Sequence, residues 1–122
     1  MTIPALANAE LAVMEVLWEA ERLTARQLQE RLYPDAQRAQ HGTVQKLLQR
    51  LEDKGMVERD RELPVHFFSA RVSRESYAGS QLEALADKLT EGSLVPLITQ
   101  LVAEKKLSRR EIERLRRLLE GA

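Results

Sequence analysis

The chain has 122 residues and a formal net charge of zero, with 19 Lys and Arg against 19 Asp and Glu. This length allows one domain, or a small domain with an appendage. Because the charge is balanced, any surface that binds nucleic acid must be local. The absence of cysteine excludes disulfides, thiolate metal sites and cysteine nucleophiles. No signal-like or membrane-spanning run is visible, so the sequence predicts a cytoplasmic protein with no membrane partner.

Two short helices are predicted in the first third of the chain. Asn8 can cap a first helix over 8–21, because its side chain accepts from free backbone amides. The apolar stripe of that helix would contain Leu11, Met14, Leu17 and Trp18. Thr24 and Gln27 have the spacing of a capping box, which predicts a second helix to about Leu32. It should stop before Pro34, since proline disfavours helical geometry in the preceding residue.

The most informative segment is TVQKLLQRLEDKGM, residues 43–56. Its leucines recur at three- and four-residue spacing, which predicts a third helix over 42–54 with one buried stripe. The remaining face would carry Gln45, Lys46, Gln49 and Arg50. Arg and Lys can bind guanine O6 and N7, and Gln can bind adenine N6 and N7, so this face suits a major groove. Residues 36–51 contain no carboxylate, which favours a surface near phosphates over an ordinary solvated helix face.

After Gly55 the pattern becomes alternating and predicts two strands, over 56–61 and 65–70, joined by a turn at 62–64. Phe67 and Phe68 are adjacent, so they should face opposite ways. Three helices followed by a hairpin is the order of a winged helix-turn-helix, in which the third helix enters the major groove and the hairpin follows the flanking backbone. Candidate phosphate partners around that helix are Arg26, Arg38, His41, Lys54, Arg59 and Arg61.

The remaining chain predicts three aliphatic helices: from Ser73 to about Thr90, from about Pro96, and from a capping box formed by Ser108 and Glu111. Their one-sided apolar positions are Leu82, Leu85, Leu89, Leu97, Ile98, Leu101, Val102, Ile112, Leu115, Leu118 and Leu119. A tail of this size is too small to bury those faces alone. We therefore expect a winged domain at 1–72 and a helical dimerisation domain at 73–122. The alternative is a tail that folds back on its own winged domain.

No enzyme chemistry is indicated. The two histidines, His41 and His66, lack metal-ligand spacing, and the second is expected to be a surface strand residue. The glycines are scattered and form no phosphate-binding loop, and no serine lies in a GxSxG setting. The sequence therefore predicts a mainly α protein with a small β-hairpin and with no catalytic, metal or cofactor site.

The chain resembles the penicillinase-repressor family of bacterial transcriptional regulators, of the BlaI/MecI type and with the copper repressor CopY as a relative. The resemblance lies in AELAVMEVLW, TVQKLLQRLEDKGMVERD, VSRESY and LSRREIERLRRLL. It implies a homodimeric repressor that binds a palindromic, double-stranded DNA operator. It places Thr43, Lys46 and Arg50 where the family's reading helix meets DNA. Lys46 stands where a threonine is expected, which implies a different operator preference.

The inducing signal stays open at this point. Family members induced by β-lactams are cut by a signalling protease at an Asn-Phe bond that would align near Gln100-Leu101, and that pair is absent here. The Cys-x-Cys motifs of CopY-like members are also absent. Two alternatives to the repressor hypothesis remain. One is a winged-helix adaptor that binds protein, and the other is a small-molecule-responsive regulator with a pocket between wing and tail.

Overall fold

The computed structural model describes residues 3–35 and 40–122. Its elements in chain order are α1 (Asn8–Glu19), β1 (Leu23–Thr24), α2 (Ala25–Leu32), α3 (His41–Asp53), β2 (Val57–Asp60), β3 (Phe67–Ala70), α4 (Arg74–Leu89), α5 (Val95–Ala103) and α6 (Arg109–Glu120). The chain divides into two compact units, Met1–Gln81 and Leu82–Ala122. The predicted fold class, mainly helical with a small hairpin, is confirmed.

The first unit has a core built by α1, α2, α3 and the sheet. Apolar side chains at helical spacing on α3 are buried together with others from α1, α2 and the strands, chiefly Val13, Met14, Leu17, Leu28, Val44, Leu47, Leu48, Leu51, Met56, Val57 and Phe68. Burying one such large side chain contributes about 1.5–3 kcal/mol, so the amphipathic pattern fixes the orientation of α3. The expected stripe of α1 is shifted: Leu11 and Trp18 are only half-buried, and Val13 takes a buried position.

Helix starts show which caps the sequence identifies. Thr24 and Gln27 form the predicted capping box, with Gln27 N–H to Thr24 Oγ1 at 3.1 Å and Thr24 N–H to Gln27 Oε1 at 2.9 Å. The predicted Asn8 cap is wrong, because α1 already begins at Asn8 and its N-cap is Ala7. The Ala7 amide instead donates to Glu10 Oε1 at 2.8 Å. The first turn therefore has no side-chain cap, and the carboxylate of Glu10 binds the amide that precedes the helix.

The sheet has three strands in the order β1-β3-β2, all antiparallel to their neighbours. The predicted hairpin is confirmed, with Val57 opposite Ala70 and Asp60 opposite Phe67. Strand β1 is an addition to the prediction, since two residues are too few to show alternation. Phe68 is buried and Phe67 half-buried, as expected for adjacent strand positions. His66 precedes β3 rather than lying within it, which corrects the predicted strand start.

The first half of α4 belongs to the first unit. The Trp18 indole donates to Val72 O at 2.8 Å, and Tyr77 OH accepts the Leu6 amide at 2.9 Å. Ser80 Oγ accepts the Ile3 amide at 2.9 Å. These contacts explain why the boundary between the two compact units lies between residues 81 and 82. This is further along the chain than the domain junction expected between residues 72 and 73. Ser73 caps the start of α4 by accepting the Ser76 amide at 3.0 Å.

The second unit contains the end of α4 together with α5 and α6. Pro96 lies at the start of α5, and Ser108 caps α6 with Glu111 as its capping-box partner. Within residues 82–122 only Ala86 is buried. In the part of the chain that the structure describes, no helix is long and apolar enough to cross a bilayer.

Candidate nucleic-acid interface

Helix α3 presents one buried and one exposed face. Val44, Leu47, Leu48 and Leu51 point into the core. The side chains predicted to read DNA lie mostly on the other face, where His41, Thr43, Lys46, Gln49 and Arg50 are exposed and Gln45 is half-buried. Gln49 donates to Asp53 Oδ1 at 3.0 Å, which fixes its amide along the helix. The exposed face is therefore rich in amide and cationic groups that can bind the edges of bases.

A buried ion pair fixes the carboxyl end of α3. Lys54 Nζ lies 2.7 Å from Glu10 Oε1 and 3.3 Å from the carbonyl oxygen of Ala5. Glu10 is only 2% exposed. The ammonium of Lys54, expected as a phosphate partner, is thus engaged within the domain. Gly55 follows with φ of 75°, a left-handed conformation that lets the chain leave the helix and enter β2.

The carboxyl of Glu10 is held in its charged form. Burial raises its pKa, but the Lys54 ammonium, the Ala7 amide and the more distant Arg50 charge together bring the pKa below the usual 4.5. Its second oxygen, Oε2, is buried and has no hydrogen-bond partner among the described residues. The pair therefore depends on Lys54, which is 30% exposed and reaches the carboxylate from the surface.

Two wing cations share one carboxylate of α3. Glu52 lies 3.5 Å from Arg59 and 3.3 Å from Arg61, in each case between carboxylate oxygen and guanidinium nitrogen. The Arg59 guanidinium also lies over the Phe68 ring at 4.7 Å from its centroid, a cation–π distance. Arg59 Nε is buried without a hydrogen-bond partner in the part described. Charged groups thereby join the wing to α3.

A cleft of about 300 Å³ opens where the start of α2, the start of α3 and the wing meet. Its lining brings together four of the predicted contacts, Arg26, His41, Gln45 and Arg59. It also contains His66, which the sequence did not indicate as part of the interface. No local pattern marks His66, because only the folding of the wing brings it to this cleft. His41 Nδ1 lies 3.3 Å from Gln29 Oε1, and this contact orients the imidazole at the amino-terminal end of α3.

The remaining predicted positions have varied surroundings. Arg26 is exposed and lies 3.5 Å from Glu30, one turn further along α2. Arg38 lies outside the described residues. Within residues 3–35 and 40–122, no group of three or more His, Asp or Glu side chains is arranged to hold a metal ion. Gln100 and Leu101, where the resemblance predicted a possible cleavage site, lie inside α5.

The predicted dimerisation positions form exposed apolar faces in the second unit. Most of them are more than one third exposed, including Leu82, Leu85, Leu89, Ile98, Leu101, Val102, Leu115, Leu118 and Leu119. Leu97 and Ile112 are half-buried. An apolar groove of about 520 Å³ runs between α5 and α6, lined among others by Ile98, Val102, Leu107, Ile112 and Leu115.

The first unit has three helices and a hairpin around one core, and its third helix has an exposed polar face. This arrangement defines a winged helix-turn-helix domain. In agreement, the chain is similar to the solution structure of the DNA binding domain of the repressor BlaI, with a TM-score of 0.51 and 25% identity over 63% of this chain and 94% of that chain. The family model described as Penicillinase repressor matches residues 6–121. The chain belongs to the penicillinase repressor family.

Two relatives show how far this similarity extends. The Penicillinase repressor of Bacillus licheniformis is 25% identical over 118 residues, which is 97% of this chain and 91% of the relative. The Penicillinase repressor of Staphylococcus aureus is 22% identical over 114 residues, covering 93% and 90% respectively. The similarity thus includes the helical tail as well as the winged unit.

Proposed function

We propose that this chain is a DNA-binding transcriptional repressor that acts as a homodimer on a palindromic operator. The observation that carries the proposal is the exposed amide and cationic face of α3, held on a winged unit similar to the DNA binding domain of BlaI. On that face Lys46 and Arg50 are exposed and have no ion-pair partner within the described ranges. Cations of this kind can bind guanine edges or phosphates.

The helical tail supports the dimer. Its exposed leucines lie on α4, α5 and α6, and large apolar side chains such as Leu118 and Leu119 are 64% and 75% exposed. Contiguous apolar surface on a small soluble unit marks an interaction site. A second copy of the same chain covers this surface with a matching one, and a twofold dimer presents two reading helices to two half-sites.

Repression then depends on the dimer, which joins two winged units that each bind DNA only weakly. Once one winged unit binds its half-site, the second is held at high effective concentration beside the other, so the dimer binds far more tightly than either unit alone. Any event that cuts or loosens the tail would release the operator. Cleavage by a signalling protease near Gln100-Leu101 is one such event, although that bond would have to leave the helical conformation of α5 first.

The test is a titration of duplex DNA from the region upstream of the protein's own gene with the full chain. Fluorescence anisotropy measures the binding, and a shuffled duplex of equal length is the control. A dimer that neutralises ~6–10 phosphates should lose roughly 10³–10⁵ in affinity between ~50 and ~200 mM salt. A flat salt response, or equal binding to the shuffled duplex, would favour a winged-helix adaptor that binds protein. Release of the DNA by a small molecule would favour the ligand-responsive alternative.

A further inference from the structure

Both histidines of the chain line the same cleft. The sequence contains only His41 and His66. His41 is the first residue of α3, and His66 lies at the end of the wing turn, directly before β3. Folding nevertheless places both at the cleft between α2, α3 and the wing. The cleft adjoins the predicted reading face, because Gln45 lines it one helical turn after His41.

The charged groups around these imidazoles are cationic. Arg26 from α2 and Arg59 from β2 line the cleft, and none of the described residues that line it is acidic. The nearest carboxylates act on the arginines from outside the cleft, Glu30 on Arg26 and Glu52 on Arg59, each at 3.5 Å. Four groups that are or can become cations therefore face one cavity. Such an arrangement suits an anion.

We propose that a backbone phosphate of bound DNA occupies this cleft, and that His41 and His66 bind it as imidazolium ions, so that DNA binding takes up protons. This inference rests on the proposed function, since it specifies one contact of the same DNA interface. It adds His66 to that interface and makes operator affinity depend on pH.

The chemistry gives the direction of the effect. The Gln29 oxygen at Nδ1 of His41 favours the tautomer with hydrogen on Nδ1, which leaves Nε2 as the atom that takes the second proton. An imidazolium donates at both nitrogens, so protonated Nε2 can donate to a phosphate oxygen while Nδ1 keeps its contact with Gln29. The phosphate stabilises the charged form, so binding is tighter at lower pH and weakens as the pH rises through the range where imidazole titrates.

The experiment measures the dissociation constant of the full-length protein on specific duplex DNA at about pH 6 and about pH 8, at constant ionic strength. Because two imidazoles per protomer take up protons on binding, wild type should bind roughly 10-fold more tightly per protomer at the lower pH. The doubly substituted His41→Gln, His66→Gln protein should lose most of this ratio and bind at both pH values about as weakly as wild type does at pH 8. Calorimetry in two buffers of different ionisation enthalpy would count the protons taken up.

Two further variants separate charge from structure. His66→Lys keeps a cation at all pH values, so it should bind tightly at pH 8 and show a smaller pH ratio than wild type. Arg74→Gln is the matched control, because Arg74 lies over Trp18 at 5.3 Å, away from the residues that line the cleft. It should leave the pH ratio unchanged. Helix content by circular dichroism checks that each variant is folded.

The outcomes distinguish the two proposals. Specific DNA binding with a pH-independent affinity, or a pH ratio that survives in the doubly substituted protein, would overturn the phosphate site while leaving the proposed function intact. Absence of specific DNA binding at either pH would overturn the proposed function and this site with it. Loss of the ratio in the doubly substituted protein, with tight binding at pH 8 restored by His66→Lys, would establish the site.

Discussion

Arg50 and Lys54 lie about one turn apart at the end of α3, yet their surroundings differ. Arg50 is exposed and makes no ion pair within the described residues, whereas Lys54 reaches the buried carboxylate of Glu10 at 2.7 Å. A basic residue at the end of α3 can therefore be exposed to a partner, as Arg50 is, or be engaged within the fold, as Lys54 is. The distinction depends on a partner far away in the sequence, which local composition does not reveal.

Replacement of Arg50 by alanine should weaken operator binding by ~1–3 kcal/mol, because a possible bidentate contact with guanine or phosphate is lost. The fold should persist, since the side chain is exposed. Lys46→Thr should instead change which operator sequence is preferred. Anisotropy titrations on a set of single-base operator variants would measure both effects. Wild-type affinity for Arg50→Ala on every duplex would remove this part of α3 from the interface.

Glu10→Gln should destabilise the first unit, because the ammonium of Lys54 loses its partner. Breaking a fully buried pair costs about 3–5 kcal/mol, and the partial exposure of Lys54 reduces the expected loss to about 1–3 kcal/mol. Urea unfolding at neutral pH measures this loss. Lys54→Met and the double variant complete a cycle, in which the double loss should be smaller than the sum of the single losses. Strict additivity would mean that the pair contributes no coupling energy.

The same pair predicts an acid sensitivity. The pKa of Glu10 in the folded chain lies below its usual 4.5, so the contribution of the pair is present above that value and disappears as the pH falls through the lower folded pKa. Wild type should therefore lose stability below about pH 4.5 more steeply than the Glu10→Gln variant. Parallel unfolding curves for the two proteins across the acid range would contradict this assignment.

At the scale of elements, the sequence predicted those that have a periodic or capping signal. The third helix followed from the spacing of Leu47, Leu48 and Leu51, and α2 followed from Thr24 with Gln27. Strand β1 was missed because its two residues pair only with β3, a contact that no local period encodes. The Asn8 cap failed because the helix begins at Asn8 itself, so that Ala7, which has no polar side chain, takes the cap position.

The candidate site was predicted only where its residues share a local period. The exposed face of α3 followed from its period, whereas the cleft that joins His41 to His66 required the tertiary arrangement of the wing. A hairpin can be predicted from alternation and turn residues, but the point at which its tip meets another element depends on packing over the whole domain. Long-range partners such as Glu52 with Arg59 and Arg61 were missed for the same reason.

The junction between α3 and β2 depends on one backbone conformation, that of Gly55 at φ 75°. Gly55→Ala should cost about 1–2 kcal/mol, because a side chain disfavours the left-handed region. The space around it is open, so no steric clash adds to this cost. Gly79→Ala is the matched control, since Gly79 lies inside α4, also with open space, and should stabilise the chain by about 0.5–1 kcal/mol. Effects of the same sign for both variants in chemical unfolding would contradict this account.

At the scale of the whole molecule, the proposed dimer depends on the exposed apolar faces of the tail. Leu101→Asp places a carboxylate on the exposed face of α5, where Leu101 is 41% exposed in the single chain. In a dimer interface an unpaired charge costs several kcal/mol, so the variant should be monomeric and bind the operator ~10²-fold more weakly or worse, with unchanged helix content. Light scattering gives the mass and anisotropy gives the affinity.

Gln100→Asp adds the same charge at the neighbouring exposed position of α5 and provides the matched control. It should disturb the dimer less than Leu101→Asp, because it replaces a polar side chain outside the predicted apolar face. A Leu101→Asp protein that keeps the mass and the affinity of wild type would show that the aliphatic faces serve another purpose.

The carboxylate of Glu52 bears on how such a repressor would search a genome. Random DNA has the same phosphates as the operator. Arginines on the wing without a carboxylate partner would therefore lengthen the residence time on DNA outside the operator. Glu52 lies 3.5 and 3.3 Å from Arg59 and Arg61, and its negative charge lowers the attraction of both arginines for a phosphate. Glu52→Gln should therefore lengthen the residence time on random duplex more than on the operator, as single-molecule tracking along a long DNA would measure. An unchanged residence time on random DNA would contradict this role. An internal anion of this kind would lower the affinity for DNA and shorten the time spent at positions other than the operator.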